Sequence, residues 1–232
     1  MDEIITPEQP FDGLTFKGRF QSRKNDVYLV ERKGRRMVLK LYRNDRCQSE
    51  FEALNAAYEA GLCVPRAIEM CEKAILMEYI PGPIVNDYLG TVLMDEMVLG
   101  VADWLALFHH AFYNEGVVRL KSDAIFKNFI ASDRIYGIDF ELSRSGSPSV
   151  DVGEALAYLL NTYPMFADDK FRLGRSFIER YEHRSGIQLQ DVDLRVADSL
   201  REAATYRPAQ RFILLEKASE IEASRPFASG WL

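Results

Sequence analysis

The chain is poor in the residues that build metal sites and disulfide frameworks: three cysteines and three histidines in 232 positions. Cys47, Cys63 and Cys71 form no CxxC pair and the histidines show no metal-type spacing, so a structural zinc site is not expected, and the odd thiol count favours a reducing compartment. No apolar run approaches the roughly 20 residues needed to span a bilayer. The beginning, Met1-Asp2-Glu3, lacks a basic region followed by an apolar stretch and does not read as a signal peptide. A cytoplasmic protein with no membrane partner is the expectation. Internal repeats and low-complexity tracts are absent. A surplus of positive charge is missing too: the net charge is −6, which weighs against a nucleic-acid-coating role. The basic residues Arg19, Arg23, Lys24, Arg32, Lys33, Arg35 and Arg36 read as the solvated surface of a hairpin.

What is present suits an ordinary folded chain, with 47% hydrophobic and 28% charged residues. At 26.6 kDa it is long enough for one domain or for two small lobes around one cleft. After about Leu14 the pattern is β-like. Val27-Tyr28-Leu29-Val30 and Met37 to Tyr42 flank the turn signal Arg32-Lys33-Gly34-Arg35. A helix is expected from about Arg46 to Ala60, with Gly61 as its C′ residue. Pro65, the strand Ala74-Ile75-Leu76-Met77 and the turn Ile80-Pro81-Gly82-Pro83 follow. Beyond Asn86 the character becomes helical. Val98, Val101, Ala102, Leu105, Phe108 and Phe112 form a core-facing stripe on a helix from Glu96 to Phe112. Short β-type pieces (Val117–Leu120, Phe129–Ile130, Ile135–Ile138), a helix Asp151–Leu160 and two longer C-terminal helical stretches complete the chain. The expected class is α+β, a small β-rich N-lobe over about 1–80 joined by a Pro/Gly hinge to a helical C-lobe over about 81–232.

Several polar residues stand where folding alone does not call for them. Lys40 lies inside an apolar strand and shares a face with Val38 and Tyr42 by the two-residue period. A lysine facing inward there needs a carboxylate partner. Helical phase turns Glu50 to the same face as Leu54, Ala57 and Gly61, with Glu52 on the polar face as the alternative. Asp123 and Asn128 flank a loop between short strands, and Asp139 closes the strand that ends at Ile138. A carboxylate at Asp123 can orient a hydroxyl nucleophile and accept its proton. The carboxamide oxygen of Asn128 and the carboxylate of Asp139 are hard donors suited to Mg2+. Asp151 reads as structural, either capping its helix or bracing the loop, and His109 and His110 read as packing residues.

In this order the residues resemble the atypical, kinase-like phosphotransferases, over about Gly18 to Leu160. Ser22 to Val30 is similar to the nucleotide-loop region of RIO kinases and of the small kinase of the KEOPS complex. Glu50-Phe51-Glu52-Ala53-Leu54 through Gly61, with Val64-Pro65, looks like their lysine-partner helix. Met77-Glu78-Tyr79-Ile80 matches their hinge, and Asp123, Asn128 and Asp139 match their catalytic and metal positions. The resemblance implies a compact two-lobed kinase-like fold with a short activation segment, and an enzyme that uses ATP and Mg2+. Lys40, Glu50 and Asp123 would be catalytic, Lys40, Ser22, Glu78 and Ile80 would bind nucleotide, and Asn128 and Asp139 would hold the metal. Aminoglycoside phosphotransferases and bacterial envelope-sugar kinases share this skeleton. The first expectation is therefore a RIO-like Ser/Thr protein kinase, the second a kinase of a small hydroxyl compound, and the third a nucleotide-binding scaffold without turnover. In the second, the acidic residues Asp168, Asp169, Glu179 and Glu182 could attract a cationic acceptor, although a solvated helix face is the favoured reading of them. Three departures accompany the resemblance: Lys121 stands where the family has a histidine, Glu141 where it has a glycine, and Gly18 is the front loop's nearest glycine.

Overall fold

A computed structural model describes residues 10–22 and 24–228 of the chain. Met1-Asp2-Glu3 and Arg23, used above, lie outside the described residues. The contacts divide the chain into two units, Met1–Pro81 and Gly82–Leu232.

The first unit is a five-stranded antiparallel sheet with one helix. Its strands are β1 (Thr15–Phe20), β2 (Asp26–Arg32), β3 (Arg35–Leu41), β4 (Ala67–Cys71) and β5 (Ala74–Glu78), with α1 (Cys47–Glu59) between β3 and β4. The spatial order is β1-β2-β3-β5-β4. The β2–β3 hairpin closes on two residues, Lys33 and Gly34, both with positive φ. That backbone matches the right-handed twist of the strands it joins, and glycine adopts it freely. One face of the sheet carries Tyr28, Val30, Met37, Leu39 and Leu76, packed with Phe11 and Leu14. Lys40 alternates onto the other face. α1 is closed off by Gly61, two residues past its end, whose φ of 75° lets the Leu62 N–H reach the Ala57 carbonyl. β4 is an addition to the sequence reading: it is an edge strand bulged between Ala67 and Glu69, so its side chains do not keep a clean alternation.

The second unit is mostly helical. α2 (Met94–Ala111) is followed by β6 (Val118–Leu120), β7 (Phe129–Ala131), β8 (Ile135–Gly137) and β9 (Arg144–Gly146). The remaining helices are α3 (Ser149–Leu160), α4 (Asp168–Ser185), α5 (Val192–Tyr206) and α6 (Arg211–Ser224). The two longer C-terminal helical stretches are thus three helices, because Pro208, just after α5, opens a tight turn before α6. β6 pairs with β9 and β7 with β8; three-residue strands such as β9 leave almost no periodic signal. The stripe from Val98 to Phe108 on α2 is buried, with Phe112 half-buried just past the helix, and Trp104 stacks on Phe108 with Phe129 and Phe140 alongside. Gly137 passes so close to the Trp104 ring that a Cβ there would lie 2.3 Å from it. No helix among the described residues is long and apolar enough to cross a membrane.

Candidate active site

In the first unit, Lys40 Nζ donates to Glu50 Oε2 at 2.6 Å, and the Tyr42 hydroxyl donates to the same oxygen at 2.7 Å. Both side chains of the ion pair are buried. The strand period sends Lys40 and Tyr42 to one face, and the first turn of α1 brings Glu50 to meet them. Glu52 is exposed and accepts from Gln48. Ser22 is exposed in the β1–β2 connection, the Ile80 side chain is buried, and Glu78 at the end of β5 accepts the Arg66 N–H at 3.3 Å.

In the second unit, the loop after β6 is tied at four consecutive amides. Lys121 N–H and Ser122 N–H donate to the two carboxylate oxygens of Asp151, at 2.6 and 3.0 Å. Asp123 N–H and Ala124 N–H donate to Glu154 Oε2, at 2.9 and 2.7 Å. These bonds hold Ser122 and Asp123 at φ of 53° and 89°, a region that L residues rarely enter. Asn128 Nδ2 donates to the Asp123 carbonyl at 2.9 Å, and the Asn128 carbonyl accepts the Ile138 N–H at 3.0 Å. Of the two uses open to Asp151, bracing the loop is the one seen. His109, fully buried, joins it there: one ring nitrogen lies 3.0 Å from Asp151 Oδ2, the other 2.8 Å from the Tyr181 hydroxyl.

Lys121 answers the first departure. Its side chain is fully buried between the faces of Phe129 and Phe140. The ammonium donates to the carbonyls of Asp123 and Asp139, at 3.1 and 3.2 Å, and so joins the two aspartate-bearing segments through their main chains. Burial pushes its pKa down, while the carboxylates of Asp139, Asp123, Asp151 and Glu154 push it up. At the second departure, Glu141 is buried, and no positive φ occurs there; that turn does not require glycine. Asp139 itself has φ of 63°.

Sequence reasoning missed Glu154. It is the third residue after Asp151 on α3, so both carboxylates leave the same helix face, and that spacing was the available signal. Burial, reinforced by the charges of Asp151 and Asp123, raises its pKa to about 7 against the pull of the two amides. Of the acidic residues considered for a cationic acceptor, Glu182 accepts the Leu189 N–H and Asp169 accepts the Lys170 N–H.

Comparison with solved structures gives the fold. A protein of Ralstonia eutropha JMP134 assigned as an aminoglycoside phosphotransferase superposes with a TM-score of 0.68 at 15% identity, over 92% of each chain. The choline kinase of Cryptosporidium parvum Iowa II gives 0.63 at 13%, over 94% of this chain and 89% of its own. An amicoumacin kinase solved with AMP-PNP and Ca2+ gives 0.64 at 14%, over 95% and 90%. The chain has the protein-kinase-like fold. No family model matches it. Among curated proteins, one of Methanocorpusculum labreanum assigned as a bifunctional tRNA threonylcarbamoyladenosine biosynthesis protein is 27% identical over 168 residues. The match spans 72% of this chain and 29% of that protein's length. In the kinase-like fold, then, the first unit is the antiparallel sheet with its helix and the second the helical part.

Proposed function

We propose that the protein is an ATP-dependent phosphotransferase that phosphorylates a hydroxyl group. The observation that carries this is the pair of carbonyls gathered by Lys121. Asp123 and Asp139, sixteen residues apart, are joined through one buried ammonium, with Asn128 tied to the same Asp123 carbonyl. Such a knot suits a site that must hold a proton acceptor and metal ligands in fixed relation.

In the first unit Lys40, oriented by Glu50, would neutralise the nucleotide phosphates. In the second, the side-chain nitrogen of Asn128 is spent on the Asp123 carbonyl, which leaves the carboxamide Oδ1 as the donor atom. That oxygen and the Asp139 carboxylate form a hard-oxygen set fitted to Mg2+. A bound divalent ion would supply charge neutralisation at the β- and γ-phosphates. Asp123 would orient the acceptor hydroxyl and take its proton. Its backbone, clamped from α3, would keep the carboxylate on line, so that catalysis is mainly positioning and charge stabilisation.

For the acceptor, a small hydroxyl compound is favoured, because the small-molecule kinases it resembles match over 92–95% of this chain. A RIO-like Ser/Thr protein kinase is the second reading, supported by the resemblance of Ser22–Val30 and of Glu50–Gly61 and by the 27% identical relative. The nucleotide-binding scaffold is disfavoured by Lys121, which serves the loop's main chain. The test is γ-labelled ATP with Mg2+, given to wild type and Asp123→Asn, alone and with aminoglycoside, choline, ethanolamine and sugar acceptors. Loss of a general base lowers turnover by roughly 10²–10⁴-fold, with ATP binding retained as a thermal shift. Label on the chain itself would select the protein-kinase reading. Equal turnover in Asp123→Asn would overturn the proposal, and binding without turnover in wild type would select the scaffold.

A further inference from the structure

The two carboxylates of α3 divide their work. Along the loop, Asp151 holds the amides of Lys121 and Ser122. The amides of Asp123 and Ala124 converge on one oxygen of Glu154. The residue assigned to the acceptor hydroxyl is therefore anchored by Glu154, at a backbone conformation that L residues do not hold without support. We infer that Glu154 is a positioning residue for phosphotransfer: its carboxylate fixes the main chain of Asp123, and through it the direction of the Asp123 side chain, without touching substrate. This rests on the proposed role of Asp123.

An ionised carboxylate accepts N–H groups about twice as strongly as a neutral acceptor. With its pKa raised to about 7, Glu154 passes between a strong and a weak hold near neutral pH. The charged groups about it are Asp151 on its own helix, and Asp123 and Lys121 in the loop after β6. α5 crosses at Gly153 and brings Arg195 there, and α2 contributes His109 behind Asp151. Turnover should therefore fall below about pH 7 as the hold weakens, in a limb that belongs to Glu154.

The experiment compares wild type, Glu154→Gln and Glu154→Ala by residue-resolved amide exchange and by Mg·ATP turnover, read as phosphate release to water, from pH 5.5 to 8.5. Glu154→Gln keeps the shape and one carbonyl acceptor, and guards against a variant that fails to fold. In it the amides of Asp123 and Ala124 should exchange about tenfold faster, while those of Lys121 and Ser122 keep their protection. Turnover at pH 8 should fall about tenfold in Glu154→Gln and up to about 100-fold in Glu154→Ala, the scale of a misplaced catalytic group. KM for Mg·ATP should stay within threefold, and the acid limb should vanish in Glu154→Gln. Unchanged protection at Asp123 and Ala124 in folded Glu154→Gln, or an acid limb that persists there, overturns the inference. A wild-type chain that binds Mg·ATP without turnover, both here and with the hydroxyl acceptors named above, overturns the catalytic role of Asp123, and with it the catalytic half of the inference. The exchange rates then decide by themselves whether Glu154 holds the loop.

Discussion

Exchanging Lys40 for methionine removes the ammonium 2.6 Å from Glu50 Oε2, in a pair whose side chains are 8% and 1% exposed. In such a site the attraction and the loss of hydration nearly cancel, so the intact pair adds little, whereas removing one partner costs about 3–5 kcal/mol. The Tyr42 hydroxyl still donates to the carboxylate and recovers about 1 kcal/mol. We expect Lys40→Met to weaken the first unit by about 2–4 kcal/mol, Glu50→Leu, which also removes the acceptor of Tyr42, by about 3–5 kcal/mol, and the double variant to lie within about 1–2 kcal/mol of wild type. The coupling is then at least about 3 kcal/mol, or roughly 150-fold or more in the opening equilibrium. Tryptophan emission is the wrong probe, since Trp104 lies in the second unit and Trp231 outside the described residues. Native-state exchange of the β3 and β5 amides that pair Leu39 with Leu76 reads the first unit directly. If the two single losses add in the double variant to within about 0.5 kcal/mol, the pair is not an energetic unit and the reasoning fails.

Two further outcomes follow from the second unit. Gly137→Ala drives a methyl into the Trp104 ring and should cost about 1–3 kcal/mol or more, seen as a lowered denaturation midpoint by Trp104 emission; an unshifted midpoint would mean that the ring yields freely. The raised pKa of Glu154 makes folded protein bind more protons than unfolded between about pH 4.5 and 7, so this group's contribution to stability falls as pH rises through that window and is level above it. The decline is at most about 3 kcal/mol. Denaturant titrations of wild type and Glu154→Gln across pH 4.5–8 should differ by that slope, and parallel curves would contradict it.

The sequence by itself determined the elements that carry a strong period or a covalent constraint. The two-residue alternation around Lys33-Gly34 set the β2–β3 hairpin, the stripe from Val98 to Phe108 set the long helix of the second unit, and helical phase separated inward Glu50 from outward Glu52. Those signals are local, since a period of 2 or 3.6 is written in neighbouring residues. The tertiary structure alone decided what depends on chain segments meeting. β4 and β9 exist because a partner strand supplies their hydrogen bonds, and β9 is too short to announce itself. Lys121 reads in sequence as a substituted histidine, yet its ammonium finds carbonyls two and eighteen residues away. Glu154 reads as one more acid on a helix, until the loop thirty residues earlier delivers two amides to a single one of its oxygens. Burial and long-range hydrogen bonding give those side chains their chemistry, and neither is a property of adjacent residues.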